Sequence, residues 1–392
     1  MKKDIMKQTK VDICIIGGGI IGASVARELA KFDKKIVVLE ANPRLALETS
    51  SHNSGLVHGG FDPRPETLNA KLNVLGKKRY EDWIKEMDFP YLRIDSTIVA
   101  FNDEEMKHVH MLYDRGLING LDPKEMQVID AKELQKREPN ISKQAVGALV
   151  CNSSIAIDPV LLTTTLMRNA IKNGVELKVN SKVVDIKKVD NIFEIKTAKD
   201  EIIQAEVVVN VAGHYADVIA NMAGYGDFKL TTRRGEYRIL DKSEAGIVNS
   251  VVFMVPTIHG KGVIVAPMLD GRVMVGPTAL DGVPKEETLL VTQQQYDNIG
   301  KIGKHLIPNI NMDKTCTVYA GSRPIDIETN DFIIRPAKND KKFINVAGMK
   351  SPAIASAPAI ADMVCDLVKN AFDKLDKKAN WQPKEEAILP WK

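Results

Sequence analysis

The chain has little of what marks several protein classes. Its 392 residues hold only four cysteines, Cys14, Cys151, Cys316 and Cys365, spread far apart. None shares CxxC or metal-ligand spacing, which excludes a disulfide scaffold and fits a reducing compartment. His108 and His110 form an HVH pair without a third ligand near them, so no metal is expected. Charge of one sign is missing too: 54 basic against 51 acidic side chains leave +3, no footprint for nucleic acid. The basic clusters Lys77-Lys78-Arg79, Lys341-Lys342 and Lys377-Lys378 read as solvated faces. No apolar run approaches a membrane span. The Lys-rich leader before Val11 precedes a short apolar run broken by glycines, with no small-residue cleavage pattern, so no signal peptide is expected. Long repeats and low-complexity segments are absent. What remains is a globular chain, 44% hydrophobic, long enough for two intertwined domains and expected in the cytoplasm.

The most informative stretch is Val11 to Glu40. An apolar run, Val11–Ile16, breaks into Gly17-Gly18-Gly19-Ile20-Ile21-Gly22. A helical pattern follows over Ala23–Lys31, then a second apolar strand, Lys35–Leu39, closed by Glu40. Strand, glycine turn, helix, strand and acid make the βαβ dinucleotide fingerprint. Gly17 permits the tight turn, Gly19 lets the backbone approach a pyrophosphate, and Gly22 lets helix and strand pack closely. The helix N-terminus offers N–H groups and a positive dipole end to phosphates. Glu40, 18 residues after Gly22, is placed to accept hydrogen bonds from ribose hydroxyls.

Next comes a polar loop, Glu48 to Gly60, with hydroxyls, an amide, three glycines and the histidines His52 and His58. Leu56 and Val57 tie it to a core, so contact with a ligand is expected rather than free solvation. Helices are expected over Thr67–Asp88, Glu104–Arg115, Lys132–Glu138, Asp158–Asn173 and Glu287–Leu306. Ile202–Ile203 and Val207–Val211 read as separate strands, the latter ending in Ala212-Gly213, a second close approach of backbone to a cofactor. Strand signals from Lys229 to Val275 predict an antiparallel sheet for a substrate domain. Phe343–Ala347 predicts a strand entering Gly348-Met349-Lys350-Ser351-Pro352. Because Pro358 inside a helix costs about 3 kcal/mol, the final helix is expected to start near Ser356, leaving Gly348–Ala355 as a loop.

These blocks resemble the FAD-dependent oxidoreductases of the D-amino-acid-oxidase and glycine-oxidase group. Within it, Thr49-Ser50-Ser51 with Leu56-Val57-His58-Gly59-Gly60, Thr231 to Tyr237, Pro256 to Gly262, Ala320 to Pro324 and Gly348 to Pro352 are similar to the short glycerol-3-phosphate oxidases of wall-less bacteria. His52-Asn53-Ser54-Gly55 is shared with L-2-hydroxyglutarate oxidases. The resemblance implies an α/β fold with a discontinuous Rossmann-like FAD domain (residues 1–89, 146–228 and 317–392). It also implies a substrate domain (90–145 and 229–316) built on an antiparallel sheet with helices.

Carried over by position, the resemblance implies FAD contacts at Ile21, Glu40, Thr49, Ser50, Ser54, Gly55, Leu56, Val183, Met349 and Lys350. The glycine positions Gly17, Gly19, Gly22, Gly213 and Gly348 add backbone contacts. At Ala355, where such relatives carry a small hydroxyl residue, only a backbone contact is left. A substrate site is implied at His58, Lys261, Arg323 and Ser351. An imidazole, with an unperturbed pKa of about 6.5, is largely neutral near pH 7 and suits a base; His58 is expected in that role ahead of His52 because the family motif carries a histidine at that position. Lys261 and Arg323, in Gly- and Pro-flanked turns, would hold a phosphate. Arg233 and Arg234 are weaker candidates, and His259 is a further pocket residue. The implied reaction oxidises sn-glycerol 3-phosphate to dihydroxyacetone phosphate, with O2 reoxidising FAD to give H2O2. An L-2-hydroxyglutarate enzyme and a quinone-linked glycerol-3-phosphate dehydrogenase stay open, as do peripheral membrane contact, the oligomeric state and the role of the tail from Ala371.

Overall fold

The computed structural model describes residues 8–255 and 262–386. Two sheets carry the chain. The first has a parallel core in the order Glu176–Lys178, Ile36–Leu39, Gln8–Ile16, Ile202–Asn210 and Asp340–Ala347, with Ile333–Ala337 antiparallel at one edge. Parallel strands must be covered on both faces, and Ile13, Cys14 and Ile15 are each fully buried. One face carries the helices Ile20–Leu29, Pro159–Lys172 and Ala353–Ala371, with Leu68–Glu86 packed outside them. The other carries the hairpin Val183–Val189/Ile192–Thr197 and the helix Ala216–Met222.

The second sheet runs Leu280–Asp281, Leu230–Leu240, Val273–Gly276, Ile264–Pro267, Val251–Met254, Tyr91–Ala100, Gly147–Ile157 and Leu56–Val57. Thr315–Asp326 pairs along Leu230–Leu240, and Met126–Asp130 along Gly147–Ile157. It is antiparallel except where Val251–Met254 lies parallel to Tyr91–Ala100. Sheet membership cuts across the expected segment boundaries. Leu56–Val57, Gly147–Ile157 and most of Thr315–Asp326 fall in segments given to the FAD domain, yet hydrogen-bond into this second sheet.

Three element readings change. Ile202–Asn210 is one strand: Gln204 and Glu206 interrupt the apolar pattern only where one face is half exposed, and beyond them both faces are buried. The helix expected from Glu287 begins at Gln293, because Thr292 caps it (Oγ1 accepts from Gln295 N–H, 3.4 Å) while Glu236 takes the Thr292 N–H at 2.7 Å. The final helix starts at Ala353 and keeps Pro358 inside. Proline removes the N–H that would bond the Ile354 carbonyl four residues earlier. The buried Tyr80 hydroxyl donates to that carbonyl instead, at 2.9 Å. Tyr80 reaches it because the two helices touch at Gly76, where a Cβ would stand 2.2 Å from the Ala355 carbonyl oxygen.

The tail as far as Glu386 straps the helical face. Lys378 N–H donates to Lys31 O (2.7 Å), Gln382 N–H to Asn173 Oδ1 (2.9 Å) and Glu385 N–H to Glu86 O (3.1 Å). Under the strap, the fully buried Arg27 pairs with Glu28 and Glu86, donates to Pro383 O and lies 5.5 Å from the Trp381 ring centre. A buried guanidinium needs such partners to be tolerated. Among the described residues no helix is long and apolar enough to cross a membrane.

Candidate active site

The carboxyl ends of the parallel strands face the second sheet across a partly open cleft. Its first wall is backbone. Gly17 turns at φ +122°, and a Cβ at Gly22 would lie 2.0 Å from Gly17 O, so only glycine lets the helix start so close to the strand. The helix Ile20–Leu29 is buried throughout, its N-cap Gly19 has no side-chain cap, and no acid stands in its first turn. Ile20 donates to Ser50 Oγ (2.9 Å), and the first helical bond runs from Ala23 N–H to Gly19 O. The N–H groups of Ile21 and Gly22 thus have no acceptor within the helix, and both residues line the cleft. A buried helix start with only its first N–H taken by a side chain, Ser50 Oγ, fits the pyrophosphate of a dinucleotide. Glu40 closes the turn from behind, its carboxylate accepting the N–H of Gly18 (2.7 Å) and Asn42 (2.8 Å).

Side chains from distant segments make the second wall. His58 Nε2 stands 3.5 Å from Ser351 Oγ, and its ring centre 6.2 Å from that of Phe253. Asn73 donates to the His58 carbonyl at 2.9 Å. Arg323 lies opposite Arg233 in register, but Arg233 is held by Asp281 (2.5 and 2.8 Å) and the buried Arg234 by Glu236 (3.1 Å). Among the described residues Arg323 makes no ion pair, and its guanidinium adjoins the buried Tyr237 phenol. Burial raises the Tyr237 pKa against the pull of Arg323. Lys350 lines the cleft and donates to Asn330 Oδ1 at 2.7 Å. No carboxylate lines the cleft among the described residues, whereas Arg323, Lys350 and His58 do.

The expected site residues divide cleanly. Gly19, Ile21, Gly22, Thr49, Ser50, Ser54, Leu56, Gly213, Met349 and Lys350 line the cleft, with His58, Arg323 and Ser351. Gly17, Glu40 and Gly55 are not among the lining residues. Gly348 is a turn at φ +68° packed on Asp331, and Ala355 is buried against Gly76. Val183 is buried two residues after Ser181, whose N–H donates to Glu40 O. Lys261 and His259 lie outside the described residues. His52 does not reach the cleft: its Nδ1 bonds Ser51 Oγ and Glu48 O, and its ring packs edge-on to Tyr319. Sequence reasoning missed Asn53, Tyr237, Phe253, Ile264 and Pro277. Strand alternation was the usable signal, since Arg233, Gly235 and Tyr237 share one face of their strand.

The family model described as DAO, FAD dependent oxidoreductase, matches residues 12–367. The chain is 44% identical over 384 residues to the glycerol 3-phosphate oxidase of Mycoplasma pneumoniae, covering 97% of this chain and 99% of that protein. It is 41% identical to the glycerol 3-phosphate oxidase of Mycoplasma genitalium, covering 95% and 97%. Its fold superposes with a TM-score of 0.93 on the dithionite-reduced L-alpha-glycerophosphate oxidase of Mycoplasma pneumoniae with FAD bound, at 43% identity and covering 97% and 99%. The chain belongs to the DAO family of FAD-dependent oxidoreductases.

Proposed function

We propose that the chain oxidises sn-glycerol 3-phosphate to dihydroxyacetone phosphate. The observation that carries this reading is a cleft with His58, Arg323 and Lys350 on its walls and no lining carboxylate among the described residues. Such a site suits an anionic alcohol, and the similarity to two glycerol 3-phosphate oxidases supports the phosphate. FAD, when bound, would supply the acceptor for the substrate hydride and the redox chemistry that reduces O2 to H2O2. Arg323 binds the phosphate through paired N–H donors, with Lys261 as a second charge. His58 takes the hydroxyl proton on Nε2, and Ser351 holds the hydroxyl in line with that nitrogen. Tyr237, Phe253 and Ile264 exclude water from the reacting carbon.

In the same reading the parallel sheet with its helices holds FAD and the second sheet holds substrate, the division following sheet membership. The four cysteines are unpaired, which supports a cytoplasmic location. A substrate panel with peroxide detection tests the assignment. Turnover of glycerol 3-phosphate, with none of glycerol or L-2-hydroxyglutarate, is expected. Turnover of L-2-hydroxyglutarate alone would overturn it.

A further inference from the structure

We propose that His214 is a positioning residue that, together with Thr49, clamps the Ser322 carbonyl and so aims Arg323 into the cleft. Ser322 immediately precedes Arg323 on the strand Thr315–Asp326. Its carbonyl oxygen receives two donors from the other side of the cleft: Thr49 Oγ1 at 2.8 Å and His214 Nε2 at 3.0 Å. One comes from the polar loop and the other from the turn after Ile202–Asn210, whose Gly213 lines the cleft. The Ser322 hydroxyl is buried with no hydrogen bond among the described residues, so this side chain does not fix the strand. The carbonyl is therefore where three separate segments meet, one residue from the guanidinium.

A carbonyl oxygen only accepts, so the hydrogen must sit on His214 Nε2. The ring is 5% exposed, and its Nδ1 is buried without a partner among the described residues. Burial lowers its pKa to about 4, against the opposing pull of the Ser322 carbonyl and, less, of Asp217, with Lys285 adding to the shift. The ring is thus a neutral Nε2–H tautomer with a bare Nδ1, built to donate one bond and do nothing else. It touches no reacting atom and acts only through Arg323.

The inference rests on Arg323 as the anion-binding group. Its test uses the FAD-loaded protein and two kinds of readout. In 15N-labelled protein, His214 is expected to show the Nε2–H tautomer near pH 7; an Nδ1–H tautomer would overturn the clamp, whatever the substrate proves to be. His214→Leu removes the donor, whereas His214→Gln places an amide N–H near the same point. Inorganic phosphate binding, followed by calorimetry, should weaken about tenfold in His214→Leu and stay within about twofold of the parent in His214→Gln. The KM for glycerol 3-phosphate should rise in parallel while kcat changes less. Equal phosphate affinities in all three proteins, or equal losses in both variants, would overturn the proposal. Should His214→Leu fail to fold, Thr49→Val removes the second donor to the same carbonyl and is expected to weaken phosphate binding too; unchanged affinity there would overturn it. No phosphate binding by the parent protein would instead remove the anion-site reading of Arg323, with the tautomer still reporting on the clamp.

Discussion

The two walls of the cleft are built in different ways. The wall around Gly17 to Glu40 is one continuous stretch of chain, and its working parts are backbone N–H groups at the start of a buried helix. The opposite wall takes single side chains from the loop at His58, the strands at Tyr237, Phe253 and Arg323, and the turn at Ser351. A backbone site has to be spelled out locally, since glycine must stand wherever the turn and the close contact demand it. A side-chain site needs only that the topology deliver the right groups, and any sequence separation will do.

That contrast can be broken at its extremes. The largest effect is expected at the backbone wall, where Gly22→Val would put a Cβ 2.0 Å from Gly17 O. This variant should purify without flavin or not fold at all, and a full flavin absorbance ratio would refute the close-packing argument. At the side-chain wall the fold should survive while chemistry is lost. His58→Asn is expected to keep FAD and slow flavin reduction by substrate roughly a hundredfold or more, the scale of acid–base assistance. Stopped-flow reduction at the parent rate would take His58 out of the mechanism.

Arg323→Met should be milder. Loss of charge-assisted contacts of roughly 1.5–3 kcal/mol predicts about ten- to a hundredfold weaker substrate binding with normal FAD content. An unchanged affinity would move the phosphate site elsewhere. The smallest effect belongs to neither wall. Tyr80→Phe removes the donor to the Ile354 carbonyl left by Pro358, and should cost about 1 kcal/mol in denaturant unfolding. No change would mean that the carbonyl finds another partner.

The same contrast explains what could be read in advance. The βαβ turn was legible because strand, glycine spacing, helix and acid all lie within thirty residues. The choice of His58 over His52 was not legible in the residues themselves; it leaned on family resemblance, and the fold supports it by turning His52 onto Tyr319. Arg323 was ranked above Arg233 and Arg234 by the resemblance, and the physical ground for that order, Asp281 and Glu236 holding the other two, is visible only in the fold. The start of the last helix was misjudged because the cost of Pro358 was local and its remedy, Tyr80, lay 274 residues from the Ile354 carbonyl it satisfies. Sheet membership of Gly147–Ile157 was hidden for the same reason, since its partner Tyr91–Ala100 is distant in the chain.

The central claim is that this cleft joins an FAD site to a site for an anionic secondary alcohol. Anaerobic titration of the FAD-loaded protein with glycerol 3-phosphate, followed by air, tests it most directly. The account predicts bleaching of the oxidised-flavin band at about 450 nm and its rapid return in air with formation of H2O2. A flavin that stays oxidised through a large excess of glycerol 3-phosphate would contradict it.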